Sequence, residues 1–235
     1  MSKDISTPER AATETEPGSA LGRSSKLKPR QRDAAATKAR ILGVAKKEFA
    51  KHGLGGARVD VIAERAKANK RMIYHYFDSK EKLFQTVVEM AYVDIRAAER
   101  ELALEHLPPR EALEKLVRFT WSYYLENPEF ITLVNSENLH KARHLKQSEL
   151  VRIASQGFVQ MVGTLLERGA KAGVFRPDID PIQLNITIAA IGYYYLTNRF
   201  TGSIIFERDL TAPAALEERL TFNIETVMRL VCVKP

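Results

Sequence analysis

The chain has 235 residues, 45% of them apolar and 28% charged, so either one large domain or a small domain joined to a larger one can bury a core. A single cysteine, Cys232, excludes an internal disulfide framework, fits a reducing compartment, and reads as a small apolar residue near the chain end. No apolar run nears the roughly 20 residues of a membrane helix, and residues 1–20 lack the apolar segment of a secretory signal, so a cytoplasmic protein is expected.

The formal net charge of +7 is unevenly spread. Residues 34–85 hold twelve Lys/Arg against five Asp/Glu, whereas residues 86–235 hold seventeen against nineteen. A basic stretch beside a near-neutral body is the electrostatic footprint of a phosphate-binding module.

Taken in chain order, residues 1–32 are poor in apolar side chains and rich in Ser, Thr, Pro, Glu and Lys, which predicts a disordered arm. Its basic run of Arg23, Lys26, Lys28, Arg30 and Arg32 reads either as a solubilising tail or as an arm that lies on DNA. From Ala34 the pattern is helical. Ile41, Leu42, Ala45, Phe49 and Ala50 make one apolar face, and Gly53 with Gly55 and Gly56 stops it. Val59, Ile62, Ala63 and Ala66 make a second, shorter face. Lys67-Ala68-Asn69 is a tight turn, and Asn69 can cap a third helix carrying Met72, Ile73, Tyr76 and Phe77. Asp78 or Ser79 caps a fourth helix, which is predicted to run to about His106 before Pro108-Pro109 breaks it. Further helical segments cover residues 110–126, 128–140, 146–171, 181–201 and 213–232, with loops at 173–180 and 202–212. No stretch alternates with period two, so the fold class is all-α.

Two short helices joined by a three-residue turn, behind a first helix, form a helix-turn-helix DNA-binding unit whose third helix does the reading. Residues 70–80 suit that helix. Ile73 and Phe77 are four apart and point inward, while Lys70, Arg71, Tyr74, His75 and Lys80 are free to point outward. Tyrosine hydroxyls can donate to phosphate oxygens, and Lys80 stands at a helix start where an anion is already favoured.

Residues 37–84 resemble the N-terminal domain of the TetR family of repressors. The matching residues are Thr37, Ile41-Leu42, Ala45, Phe49 and Gly53; Val59 with 62–66 (Ile-Ala-Glu-Arg-Ala); and 73–77 (Ile-Tyr-His-Tyr-Phe) followed by 79–83 (Ser-Lys-Glu-Lys-Leu). The resemblance implies DNA contacts at Arg58, Lys70, Arg71, Tyr74, His75, Tyr76 and Lys80. It departs from the family at the turn, where Lys67-Ala68-Asn69 replaces Gly-Val-Ser, and at Ala57-Arg58, where two threonines are usual. Met72 replaces a small residue, so no relative's operator sequence carries over. A Lys at the turn implies either slight strain or a turn that needs no positive φ.

The resemblance also implies three regions: an arm (1–32), a helix-turn-helix domain (33–84), and a larger helical effector-binding and dimerisation domain (85–235). The implied function is a repressor, a homodimer on a palindromic operator in double-stranded DNA, released by a small-molecule effector and needing no cofactor. A regulator of the same fold without a ligand, or an activator, is the alternative. Dimerisation is expected on the last two helices, through Ile182, Ile186, Ala189, Ala190, Gly192 and Tyr193 and through Leu216, Leu220, Ile224, Val227, Met228 and Val231; the alternative is that both stripes serve the core of a single chain alone. By periodicity Phe119, Tyr123, Tyr124, Phe130, Asn135, Phe158, Met161, Tyr194 and Asn198 face inward and line either an effector pocket or an ordinary core. Glu137, His140 and His144 have metal-ligand spacing, but Lys141, Arg143 and Lys146 beside them favour a solvated surface, so no metal is assigned. No phosphate loop, CxxC, HExxH or Gly-x-Ser-x-Gly motif is present, so no enzymatic activity is expected.

Overall fold

The computed structural model describes the backbone of residues 29–234 and the side chains of residues 33–234. Among the described residues there are nine α-helices and one 3₁₀ turn, and no strand beyond an isolated bridge between Phe175 and Cys232.

The first three helices are α1 (Pro29–Gly56), α2 (Val59–Arg65) and α3 (Lys70–Phe77). Helix α1 begins at Pro29, so residues 29–32 are helical and not part of a disordered arm; proline is tolerated in a first turn, where its missing N–H has no helical partner. The rest of the predicted arm, including Arg23, Lys26 and Lys28, lies outside the described residues. Gly53 breaks α1 with φ 63° and ψ −180°, a conformation open almost only to glycine, but one more turn follows to Gly56. Ile41, Ala45, Phe49, Ile62, Ile73 and Phe77 from the three helices are buried together.

Helix α4 (Lys80–Arg100) starts at Ser79, whose Oγ accepts from the Lys82 amide at 3.1 Å, so Ser79 and not Asp78 is the cap. It ends at Arg100, short of the predicted His106. Ala103 turns the chain through a left-handed conformation (φ 49°), and a 3₁₀ turn, Leu104–His106, carries Leu104 into the core. That apolar residue prolonged the helical pattern in the sequence although it is buried from a different element.

The body consists of α5 (Pro109–Glu126), α6 (Pro128–Leu139), α7 (Glu149–Lys171), α8 (Pro181–Ile205) and α9 (Pro213–Val231). Four of the five open on proline, whose fixed φ suits the first helical position. Ser148 caps α7, starting it three residues after the predicted position, and α8 runs four residues past its predicted end. Two cores result. One joins α1–α4 to α6, the distal half of α5, and Leu196 of α8. The other lies between α5, α7, α8 and α9 and includes Phe175. A Cβ at Gly169 would fall 1.9 Å from the Phe175 ring, so glycine is what lets that ring seat.

The predicted dimerisation stripes divide differently. Val227, Met228 and Val231 are buried within the chain, and Leu216, Leu220 and Ile224 pack onto its cores. Gly192 lies against Trp121 and Tyr124. The apolar face that α8 leaves exposed carries Ile182, Ile186, Tyr194 and Ile204, and on α9 Phe222 and Leu230 are exposed. Periodicity located an apolar stripe on α9 but could not say which neighbour covers it.

Candidate nucleic-acid interface and interior site

The α2–turn–α3 unit is fixed by polar contacts that the residue pattern did not reveal. Glu48 of α1 is buried; its Oε1 accepts from the Arg58 amide at 3.3 Å, and its Oε2 pairs with Arg65 Nη1 at 3.4 Å. Arg40 Nε donates to the Ala66 carbonyl at the end of α2, at 3.4 Å. Lys38 Nζ lies 5.4 Å from the centre of the Phe77 ring. Asn69 caps α3, its side chain accepting from the Met72 amide at 2.8 Å, and Lys67 does take a positive φ of 50°.

Of the seven predicted DNA contacts, Lys70, Arg71, Tyr74, His75 and Tyr76 lie on α3, Lys80 opens α4 and Arg58 precedes α2. Ile73 and Phe77 face the core, and Lys70, Arg71, Tyr74 and His75 are exposed. Arg58 is exposed at the start of α2. Tyr76 is half-buried between the His75 and Phe77 rings, at centroid distances of 5.5 and 6.3 Å. Two lysines are less free than the sequence implied. Lys70 Nζ pairs with Asp60 at 3.0 Å, and Lys80 Nζ donates to the Gly55 carbonyl at 3.3 Å. The Lys70–Asp60 pair is solvent-exposed on both sides, and such pairs contribute at most about 1 kcal/mol, so a phosphate can compete for the lysine.

The nine predicted pocket residues fall into separate places. Phe119, Tyr123, Tyr124 and Phe130 form one aromatic cluster, with ring centres 5.6–5.8 Å apart, and Tyr92 of α4 joins it at 5.7 Å from Phe130. Phe158 and Met161 belong to the second core. Asn135 is exposed and accepts from the Tyr193 hydroxyl. Tyr194 points outward, 67% exposed, and with Asn198 lines a different cavity of about 340 Å³ between α8 and α9, beside Tyr195, Phe206 and Arg219. Three consecutive tyrosines on one helix point in three directions, and the sequence could not show which one faced inward.

The sequence reading missed two charged residues at the centre. Arg96 and Glu99 lie on the buried face of α4, with the Arg96 guanidinium 4.1 Å from the Phe158 ring centre. Arg96 Nη1 comes within 3.0 Å of Glu99 Oε2, yet neither that oxygen nor Arg96 Nε makes a well-aligned hydrogen bond among the described residues. Burial raises the Glu99 carboxyl to about 8, against the opposing pull of Arg96 and then Arg100. Burial pushes Tyr123 up to about 12 and also raises Tyr92 and Tyr124, so these hydroxyls remain protonated donors. A charged pair continuing the apolar face of Val88, Ala91 and Ile95 was the available signal.

Glu137, His140 and His144 do not form a solvated surface. Glu137 is buried; its Oε1 accepts from the His144 and Leu145 amides at 2.8 and 3.2 Å, and its Oε2 lies 2.6 Å from His144 Nδ1. His140 Nδ1 donates to the Ser136 carbonyl at 2.7 Å, and both imidazoles pack on Phe84. The carboxylate is thus occupied in closing the α6–α7 corner, and no metal-binding group of three such side chains occurs among the described residues.

A short exposed helix with two residues anchored in a three-helix core, and tyrosine, histidine and cationic side chains on its open face, defines a helix-turn-helix DNA-binding protein. Residues 41–87 match the family described as bacterial regulatory proteins, tetR family, and residues 109–227 match the tetracyclin repressor-like C-terminal domain. The chain belongs to the TetR family and is a DNA-binding transcriptional regulator, not an enzyme. It is 40% identical over 200 residues to the HTH-type transcriptional repressor NicS of Pseudomonas putida, covering 85% of this chain and 94% of that one. It is 28% identical over 204 residues to the regulator RutR of Escherichia coli K12, covering 86% and 92%. Among solved structures, a transcriptional regulator of Streptomyces coelicolor, SCO4942, superposes with a TM-score of 0.63 at 25% identity, covering 85% of this chain and 99% of that one. Among the described residues no helix is long and apolar enough to cross a membrane.

Proposed function

We propose that the chain is a cytoplasmic homodimeric repressor that holds a palindromic operator through α3 and releases it when a small molecule enters the body. The observation that carries the DNA half is the open face of α3, where Lys70, Arg71, Tyr74 and His75 are exposed over buried Ile73 and Phe77. Arg58, Tyr76 and Lys80 flank that face and complete the contact set. NicS, by its name a repressor, supports the repressing role.

The dimer is supported by the apolar face of α8 and α9. Ile186 is 53% exposed and Phe222 57%, and exposed apolar side chains gathered on two helices are the kind of surface that marks an interaction site. A symmetric pairing of these faces sets the two reading heads at a fixed spacing. Successive major grooves on one side of B-DNA lie roughly 34 Å apart, so that spacing decides whether both heads can dock.

Release is supported by α4. Its first residue, Lys80, lies beside the reading head, and its far end carries Arg96 and Glu99 inside the body. A ligand that displaces the inner end displaces the outer one. The close-packed rings of Phe119, Tyr123, Tyr124 and Phe130 favour the second reading, a regulator without a ligand. Footprinting of the protein on the DNA upstream of its own gene tests the account. We expect a protected palindrome with half-sites one helical turn, or a multiple of it, apart; protection without two-fold symmetry contradicts it.

A further inference from the structure

We infer that Met72 is a specificity-determining residue of the reading helix, and that it recognises the C5-methyl group of a thymine in the major groove of each operator half-site. The inference rests on the operator-reading role of α3 and names a base that the operator must contain.

The helix sets the direction of each side chain. Successive residues of an α-helix turn by about 100°, so the anchors Ile73 and Phe77 fix the inward side of α3. His75 then points straight outward, and Arg71 and Met72 flank it on opposite sides, about 140° and 120° from the inward direction. Tyr74 and Tyr76 stand at the two edges, about 80° from that direction. Lys70 lies nearer still to the inward side, where it pairs with Asp60 of α2 at 3.0 Å. The outermost strip of the reading helix is therefore Arg71, Met72 and His75. Met72 is half-buried, yet among the described residues it does not join the apolar side chains packed on the first core, whereas Tyr76 one turn further does. Its backbone is fixed, because the Met72 amide donates to the Asn69 side chain at 2.8 Å and to the Asn69 carbonyl at 3.0 Å. A flexible apolar side chain thus stands on a rigid first turn, the part of a reading helix that meets base edges.

The chemistry of that side chain selects the base. A thioether has no donor and is only a weak acceptor, so Met72 has nothing to offer a phosphate and reads no base by hydrogen bonding. The C5-methyl of thymine is the apolar group that a base pair presents in the major groove. Methionine laid on it takes apolar surface of both partners out of water. Laid on the amino group of adenine or cytosine, or on the carbonyl of guanine, it strips away water and returns no hydrogen bond. Arg71 and His75 read hydrogen-bonding edges, which leaves Met72 as the aliphatic member of the outward strip.

The test is selection of bound duplexes from a random-sequence pool by the full-length wild type and by Met72→Ala. Each thymine of the selected consensus is then replaced, in both half-sites, by deoxyuridine, which removes the methyl group and nothing else. We expect one thymine per half-site whose replacement weakens wild-type binding by about fourfold per half-site, the value of one buried carbon group. Met72→Ala should melt like the wild type, lose its base preference at that pair alone, and bind the thymine and deoxyuridine duplexes equally. Met72→Gln keeps the length of the side chain and replaces its apolar end, so it should lose the same sensitivity, and it decides the matter if Met72→Ala fails to fold. A wild-type operator with no deoxyuridine-sensitive thymine, an unchanged consensus in a folded Met72 variant, or a loss spread equally over all sequences overturns the proposal. Recovery of a two-fold-symmetric consensus keeps the readings apart: if the wild type selects one and Met72 does not shape it, the thymine contact alone is refuted, whereas selection of no such consensus refutes the operator-reading repressor and this proposal with it.

Discussion

At Lys67 the backbone takes a left-handed conformation that costs an L-residue about 1–2 kcal/mol, and glycine avoids this cost while losing about 0.5–1 kcal/mol more chain entropy on folding. Lys67→Gly should therefore raise the melting temperature by a few degrees at most, since 1 kcal/mol is worth about 2–4 °C in a chain of this size. A clear fall in a thermal scan would mean that the lysine side chain holds the turn. Glu99 gives a second prediction. Its carboxyl is raised from 4.5 to about 8, so the folded chain keeps a proton there that the unfolded chain releases. The stability it contributes is complete below pH 4.5 and is lost as pH rises towards 8, by up to about a factor of ten in the folding constant per pH unit. The groups that share its surroundings are Arg96, Arg100, Tyr123 and Tyr124. Denaturant titrations of wild type and Glu99→Gln across that range should diverge, with the variant the more stable at alkaline pH; parallel curves would show that Glu99 titrates normally.

Among the elements, α6 has an unexpected position. Its first turn puts Phe130 into the aromatic cluster, and its last turn places Ser136 and Glu137 against the reading head, where Gly53 of α1 and Phe84 of α4 lie. The α6–α7 corner is strained, with Lys141 and Ala142 both at positive φ, and Glu137 holds it through two amides and His144. Glu137→Ala leaves those half-buried donors without their acceptor, which should cost about 2–4 kcal/mol and loosen the head's seat on the body. Chemical denaturation measures the loss; a change within about 0.5 kcal/mol would show that water replaces the carboxylate without penalty. The helices themselves were legible because Pro108-Pro109, Pro128, Pro181 and Pro213 punctuate the chain, and because Ile73 and Phe77 repeat at helical spacing. What was illegible depends on contacts distant in sequence. The burial of Glu48 against Arg65, of Glu99 beside Arg96, and of Glu137 against His144 each joins polar side chains that in isolation look like solvated surface. Leu216, Leu220 and Val227 carry the same apolar period whether α5 or a second copy covers them.

At the scale of the whole molecule, the basic excess sits in the reading head and in residues ahead of it. If Arg23, Lys26 and Lys28 lie on DNA, two phosphate contacts from each arm of a dimer add roughly 3 to 4 to the slope of log affinity against log salt. Deleting residues 1–28, which spares the described length of α1 (Pro29–Gly56), should flatten a salt titration by that amount; superimposable slopes would make the segment a solubilising tail. If the α3 face grips the operator, as proposed, a comparison of operator affinity between the wild type and the Tyr74→Ala/Lys80→Ala double variant shows it. Tyr74 is exposed and Lys80 is held only by one carbonyl, so the variant should fold and melt like the wild type. We expect its affinity to fall by at least about tenfold, with Lys80→Ala alone weakening operator and random DNA alike because phosphates carry no sequence. Equal operator affinity in the wild type and the double variant would contradict the account.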